Sequence, residues 1–226
     1  MTETSQPTAG TPFQAVAVLG MLAYSELAAF SRLAADAARA PTLAQRLELS
    51  TLAGNALSGL RRIEQRVGEL GEELQPVMEP FAGLLLEFDE RTVPSTWWER
   101  LLKAYVGYGV AEDFARIIAR GVDPDTRDLV LQVLQDDGHA GLVVDSLAEA
   151  AAADPTLASR LALWGRRLVG EALGVVQRVV ADHPDLSALL DDVAAELPGT
   201  GEAQQRVFSI LTAEHTRRME RLGLTA

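Results

Sequence analysis

One turn decides how this chain folds. Residues 118–128 read IARGVDPDTRD and separate two long stretches that are rich in Ala, Leu, Arg and Glu. Gly121 stands where the end of a helix favours a left-handed residue. Asp123 followed by Pro124 is typical of a helix start, because the carboxylate caps the first turn and proline fits the first helical position. The turn therefore predicts two helices, at about 95–120 and 124–152, that form an antiparallel hairpin.

A second hairpin is predicted nearer the start of the chain. Pro41 separates two helical stretches, at about 13–40 and 43–70, with a connection that allows only antiparallel neighbours. The two hairpins are joined by a long connection, about 71–94, with a short helix near 76–88. Two antiparallel pairs with one long crossover are the plan of an all-α, ferritin-like four-helix bundle, and a bundle with only short loops is the alternative.

The rest of the chain predicts extra C-terminal helices. These are expected at about 155–182 and 201–222, with a short helical turn near 185–196. Residues 1–12 are rich in Thr, Pro and Gly and predict a disordered tail, so the expected organisation is a tail at 1–12 and one helical domain at 13–226.

Composition excludes several classes of function. The 226 residues include no cysteine and three histidines, and the net charge is −12. The lack of cysteine excludes disulfides, cysteine-bound zinc, iron–sulfur clusters and thiol catalysis. The acidic balance argues against nucleic-acid binding except through a local arginine patch. The two arginine clusters are expected to lie on solvated helix faces: Arg61, Arg62, Arg66 and Arg217, Arg218, Arg221. His215 is likewise expected at the surface, and His183 at a helix end.

No membrane or export segment is expected. The most apolar stretch, residues 13–30, contains Gln14, Ser25 and Glu26 and is amphipathic, which argues against a membrane span. The first residues lack the basic and apolar regions of a signal peptide, so we expect a cytoplasmic protein.

The apolar faces of the predicted helices carry a few residues that could bind a metal. At about 100° per residue, Glu26 falls in the middle of the apolar stripe of its helix, and Tyr108 falls mid-stripe with Glu112 one turn on. Asp136 and His139 are three residues apart, the spacing of a carboxylate–imidazole metal pair in a helical bundle. A salt-bridged or water-bridged pair without metal is the alternative.

The helix after Pro41 has an apolar stripe without any metal ligand. The residues in the middle of this stripe, Ala56 and Gly59, are small. Close approach of a neighbouring helix is the other explanation for small residues at these positions. At 1.5 Å per residue, counting from the two hairpin turns places six positions at one level of the bundle. These positions are Glu26, Ala56, Gly59, Tyr108, Asp136 and His139.

Several stretches together resemble a known family. They are residues 26–43 (ELAAFSRLAADAARAPTL), 103–109 (KAYVGYG), 136–139 (DDGH), 161–172 (LALWGRRLVGEA) and 214–224 (EHTRRMERLGL). Their order and spacing resemble an actinobacterial ferritin-like family that is similar to the tRNA methylthio-isopentenyladenosine hydroxylases. This resemblance implies a carboxylate-bridged di-iron site and oxygen-dependent hydroxylation.

The ligand pattern that this resemblance implies is incomplete. Glu26 matches the glutamate of the first helix, and Asp136 and His139 match the second acidic-x-x-His pair. Ala56 and Gly59 stand where the first Glu-x-x-His pair is expected, and Tyr108 stands where the family has an acidic residue. Three of six ligands are therefore missing. The remaining three, with Glu112 as a fourth, could hold at most one metal ion, such as iron.

The favoured hypothesis is thus a homologue that has lost its di-iron centre, needs no cofactor and acts as a non-catalytic binding or structural protein. It would work as a homodimer or with a relative of the same family. The alternative is a metal-dependent hydroxylase acting on a modified tRNA base or another substrate, and a third hypothesis is an unrelated helical regulator. In the favoured case Glu26 should meet Tyr108, an arginine or water. Arg166 and Arg167 are the arginines expected to pair with buried acids, and Tyr108 or water should fill the space beside Ala56 and Gly59.

Overall fold

The computed structural model describes residues 12–136 and 141–226, except the side chains of Pro12, Asp136 and Leu142. All regular elements in these residues are helices. They are α1 (Pro12–Ala37), α2 (Leu43–Glu69), α3 (Leu74–Met78), α4 (Leu86–Arg91), α5 (Trp97–Leu102), α6 (Gly109–Ile118), α7 (Pro124–Asp136), α8 (Gly141–Ala153), α9 (Pro155–Asp182), α10 (Pro184–Glu196) and α11 (Ala203–Arg221).

Six of the first eight helices build the predicted four-helix bundle, and α3 and α4 lie in the crossover between its hairpins. Helices α1 and α2 pack against each other along their length. Helix α5, a π-helical turn at Lys103–Gly107 and helix α6 form a third rod, and α7 with α8 forms the fourth. Helix α6 contacts α1 and α7, while α2 contacts α7 and α8, so the four rods surround a common interior. The prediction of an all-α bundle of two hairpins with a long crossover is confirmed.

The long crossover differs from the single short helix predicted at 76–88. It contains α3, a 3₁₀ turn at Glu79–Phe81 and α4. Pro80 lacks the amide hydrogen that a continuous helix needs. Gly83 has a φ of 83°, a left-handed conformation that ends the helical run. The crossover therefore makes two short helices, and α4 lies against α9.

The decisive turn is built largely as the sequence predicts. Asp123 Oδ1 accepts a hydrogen bond from the Thr126 amide at 3.0 Å, so the predicted helix cap is present. The prediction for Gly121 is wrong, because Gly121 is not among the glycines with positive φ. A Cβ at this position would lie 2.4 Å from Leu189 Cδ1. Glycine is needed here for the close approach of α10.

Helices α9, α10 and α11 form an extra layer over the third rod. All three contact α6, and α10 also contacts α1. Residues 185–196, for which only a short turn was expected, belong to a full helix of 13 residues. One apolar core runs from α1 into this layer and reaches Leu224.

Helix α1 is the most apolar long helix of the described residues. By length and composition alone, residues Phe13–Ala37 could cross a membrane. In this fold α1 packs on α2, α3 and α10 and buries Leu19, Ala23 and Glu26 in the bundle. The need for a core helix accounts for its apolar character.

Candidate functional site

Glu26 and Gly59 meet at the level that counting along the helices predicts. The Glu26 side chain lies inside the bundle, with 4% of the residue exposed. A Cβ on Gly59 would lie 3.1 Å from Glu26 Oε2 and 3.0 Å from Val133 Cγ1. The thin middle of α2 is therefore covered by the glutamate of α1 and by a valine of α7.

A small cavity joins Glu26 to the third rod. It has a volume of about 50 Å³, and its wall includes Glu26, Tyr108, Glu112 and Arg32. Three of the residues singled out from the sequence thus share one cavity. Ala56 is buried one turn before Gly59 on α2. His139 and the side chain of Asp136 lie outside the described residues, so their part in this layer stays a prediction.

Tyr108 is held by charged groups on two sides. The Arg32 guanidinium carbon lies 3.1 Å from the centre of its ring. The Tyr108 hydroxyl donates a hydrogen bond to Asp89 Oδ1, and the Phe88 ring packs edge-on at 5.3 Å. Burial raises the pKa of Tyr108 well above its usual range, and Asp89 adds to this shift while Arg32 opposes it. Tyr108 is therefore a neutral hydrogen-bond donor at physiological pH.

Asp89 connects Tyr108 to a buried lysine. Lys103 Nζ lies 2.7 Å from Asp89 Oδ1, and burial lowers the pKa of Lys103 while Asp89 raises it. This arrangement corrects the expectation that Tyr108 fills the space beside Gly59. Tyr108 lies against Arg32 and Asp89, where Arg32 contacts its ring and its hydroxyl donates a hydrogen bond to Asp89, and Val133 and Glu26 cover Gly59 instead.

Glu112 lies next to a network of arginines on α6 and α11. Its Oε2 is 3.5 Å from Arg116 Nη1, and Arg116 also donates to the Leu134 carbonyl at 2.7 Å. Arg218 donates two hydrogen bonds to the Asp113 carboxylate, at 2.5 and 2.8 Å. Arg218 can reach Asp113 because Gly109 leaves room: a Cβ there would lie 2.7 Å from Arg218 Nε.

A larger cavity, which we call the central cavity, lies between the four rods and α11. Its volume is about 390 Å³. Four arginines, one glutamate and two tyrosines line it, together with small and aliphatic side chains. Arg32, Tyr108 and Glu112 line both this cavity and the smaller one beside Glu26. The two cavities therefore meet at the level of the predicted site.

A family model describes most of the chain. The model of a ferritin-like domain of actinomycetes matches residues 13–193. The chain belongs to this family. A search of curated proteins found no match. The ferritin-like fold is therefore established, and α11 follows the matched region.

Two sequence predictions about histidines have different outcomes in this ferritin-like chain. His183 lies between α9 and α10, as predicted, and stacks on Phe81 at 4.3 Å. The prediction that His215 is at the surface is wrong, because only 2% of it is exposed. Neither ring nitrogen has a hydrogen-bond partner among the described residues. Burial, with Arg218 nearby, lowers the pKa of His215 from 6.5 to about 4.

The surroundings of the arginines also differ in part from the prediction that they lie on solvated helix faces. Arg218 is largely buried against Asp113, and Arg66 pairs with Asp123 at 2.9 Å. Arg166 and Arg167 are exposed and donate to backbone carbonyls of Ala226 and Arg91. The arginine at the predicted site is instead Arg32. Arg32 lies off the apolar stripe of α1, so helical periodicity does not predict its place at the site.

Metal ligands are sparse in the described part of the ferritin-like domain. No three carboxylate or imidazole groups in residues 12–136 and 141–226 come together as a metal site. Helix α2 presents Ala56 and Gly59 to the interior where the resemblance places a Glu-x-x-His pair. The side chains that approach Glu26 and Glu112 in the two cavities include a guanidinium and a phenol.

Proposed function

We propose that this ferritin-like protein has lost the di-iron centre and acts as a non-catalytic binding protein. The observation that carries the proposal is the Arg32 guanidinium lying over the ring of Tyr108, at the wall of the cavity that Glu26 and Glu112 share. A cytoplasmic protein without a resident cofactor, working as a homodimer or with a family relative, fits this proposal.

The residues at this level do not fit two iron ions. A di-iron centre needs several carboxylate and imidazole ligands around two closely spaced cations. A guanidinium stays charged at physiological pH, so it repels a metal cation in the same space. Ala56 and Gly59 offer no ligand atoms, and the Glu26 carboxylate packs where a side chain of residue 59 would begin. An arginine therefore supplies the positive charge that metal ions would bring to the remaining carboxylates.

A metal-dependent hydroxylase, acting on a modified tRNA base or another substrate, is the second candidate. It is favoured by Glu26 and Glu112 at one cavity and by the spacing of Asp136 and His139 in the sequence. These four side chains could supply ligands for one iron ion. For this candidate, Arg32 would have to move away from the ring of Tyr108 to make room for a metal ion.

Iron content separates the two candidates. Protein produced with iron supplied should contain far less than two irons per chain, and Asp136→Ala and His139→Ala should leave that low content unchanged. His183→Ala, at a histidine between α9 and α10, is the matched control. An iron content of about one per chain, or close to two, that falls in the Asp136 and His139 variants but not in the control would overturn the proposal.

A further inference from the structure

The central cavity has the size and composition of a small-molecule site. Its volume of about 390 Å³ falls in the range of about 300–1,000 Å³ that is usual for ligand pockets. It lies between facing helices of the bundle, where helical proteins commonly bind ligands. Tyr105 and Tyr108 form one part of the wall, and aliphatic side chains of α1, α2 and α8 form another, including Leu33, Leu52 and Val144. Most of a ligand in this space would therefore be apolar.

The charged part of the wall is positive, although the whole chain carries a net charge of −12. Four arginines and Glu112 line the cavity. Asp113, just outside the lining, binds Arg218 and lies 3.3 Å from Arg116. With Glu112, Asp113 and also Glu26, which shares the smaller cavity with Arg32, all counted, positive charges among the described residues still exceed negative ones by one. Asp113 pairs with Arg218 and Arg116, and Arg32 and Arg221 are the remaining arginines of the wall.

Arg32 carries a direct sign of a missing partner. Its Nε is buried and has no hydrogen-bond partner among the described residues. A buried donor without a partner is unfavourable, so such groups usually bind something. The Arg32 guanidinium carbon lies over the ring of Tyr108, and the fork of N–H groups on a guanidinium matches the geometry of a carboxylate or phosphate.

We infer that the central cavity binds a small amphipathic organic anion. Its carboxylate or phosphate group contacts Arg32 and Arg221, and its apolar part lies between Tyr105 and the aliphatic wall. Both head groups accept paired hydrogen bonds from guanidinium groups. Arg221 ends α11 and is exposed, so it can meet the head group as the ligand enters. The inference rests on the proposed function, since it assigns the space of a lost metal centre to an organic ligand.

Binding of simple probes to the full-length protein tests this inference. Calorimetry would compare octanoate and octyl phosphate with octanol and octylammonium, which share the apolar chain. Inorganic phosphate tests the head group alone. At least one octyl anion should bind, and its affinity should exceed that of octanol and octylammonium by about tenfold or more. The better of the two anions identifies the head group.

Variants locate the binding site. Arg221→Met and Arg32→Met should each weaken anion binding by about tenfold or more. Arg217→Met, on the same helix but outside the cavity lining, is the matched control and should bind as the parent does. Ala104→Phe should block binding by filling the cavity without changing a charge. Circular dichroism would establish that each variant is folded, and Arg221→Met changes only an exposed side chain.

Three outcomes would overturn the inference: no binding of either octyl anion, equal binding of octanol, or parent-like binding by both Arg221→Met and Ala104→Phe. Iron content measured on the same preparation keeps the two proposals apart. If the protein contains little iron and does not bind the octyl anions, only this inference is contradicted. Protein with about one or two irons per chain, lost in the Asp136 and His139 variants, contradicts the proposed function, whichever probes bind.

Discussion

At the scale of single residues, Tyr108 is the best-defined part of the candidate site. It lies on the third rod, where its ring contacts Arg32 and Phe88 and its hydroxyl donates to Asp89. Asp89 in turn pairs with the buried Lys103. The hydroxyl therefore helps to hold the crossover helix α4 against the bundle.

Removing this hydroxyl should destabilise the fold moderately. Tyr108→Phe keeps the ring but loses the hydrogen bond to Asp89, and we expect the free energy of unfolding to fall by about 1–2 kcal/mol. Urea denaturation measures this change. Tyr105→Phe, a tyrosine of the same rod, is the control and should change stability by less than about 0.5 kcal/mol. Equal effects of the two variants would contradict the role given to Tyr108.

His215 gives the protein a specific response to acid. It is buried on α11, and its pKa falls from 6.5 to about 4 in the folded chain. Between these values the unfolded chain binds a proton that the folded chain does not bind. His215 therefore lowers the stability of the fold as the pH falls from about 6.5 to about 4, and it contributes nothing to the pH dependence above that range.

Replacing His215 should remove this part of the acid response. Between pH 7 and pH 4, the free energy of unfolding should fall by about 1–3 kcal/mol less in His215→Leu than in the parent protein. At pH 7 the variant should be as stable as the parent or more stable, because two ring nitrogens without partners are removed. Thermal melts across this range measure the difference, with His183→Ala as the control. If the stability of His215→Leu falls with pH as steeply as that of the parent protein, His215 is not a buried, uncharged imidazole.

The two contacts of the site differ in how far the sequence predicts them. The meeting of Glu26 and Gly59 follows from helical periodicity and from distances to the turns, because both helices are regular. The approach of Arg32 to Tyr108 does not follow, since a long side chain off the apolar stripe can reach in several directions. Asp89 could not be placed either, because the crossover has no long periodic pattern.

At the scale of secondary structure, the π-helical turn at Lys103–Gly107 sets up the site. The Tyr108 amide donates to the Lys103 carbonyl, five residues earlier, at 3.4 Å. This adds one residue to the turn just before Tyr108 and Gly109. The sequence of this rod fits a regular helix, so the prediction of one helix at about 95–120 missed the turn. The position of Gly109 then lets Arg218 of α11 lie against the rod.

A side chain at Gly109 should disturb this contact. The Cβ of Gly109→Ala would lie 2.7 Å from Arg218 Nε, so Arg218 must move away from Asp113. We expect the free energy of unfolding to fall by about 2 kcal/mol, because Asp113 loses its closest partner while it remains largely buried. Gly170→Ala on α9 has no atom within 4 Å of the new Cβ and should stabilise the helix by about 0.5–1 kcal/mol. Denaturant titration of both variants tests this difference in sign.

At the scale of the whole molecule, the C-terminal layer belongs to the same core as the bundle. Buried side chains connect α1 to α9, α10 and α11 without interruption. Helix α11 follows the region matched by the family model, residues 13–193, yet it supplies Arg218 and Arg221 to the central cavity. The bundle could be predicted from the breakers in the sequence. The extent of the C-terminal layer could not be predicted from the sequence. Helix α10 is short, and nothing in the sequence identifies which helix its apolar face packs against.

This continuous core predicts a single cooperative unfolding transition for residues 13–226. Tryptophan fluorescence reports mainly on the third rod and α9, through Trp97, Trp98 and Trp164, while far-ultraviolet circular dichroism reports on all helices. The two urea transitions should have the same midpoint. A separate early transition in circular dichroism would mean that part of the helical structure unfolds on its own, and the single core would be contradicted.

The central claim is that Arg32, rather than metal ions, supplies the positive charge beside Glu26 and Glu112. Anomalous diffraction at the iron edge tests it most directly, on crystals of protein produced with iron supplied. We predict no anomalous peak beside Glu26 and an Arg32 guanidinium that lies over the ring of Tyr108. Two peaks about 3.5–4 Å apart, coordinated by Glu26 and His139 with Arg32 turned away, would contradict the account.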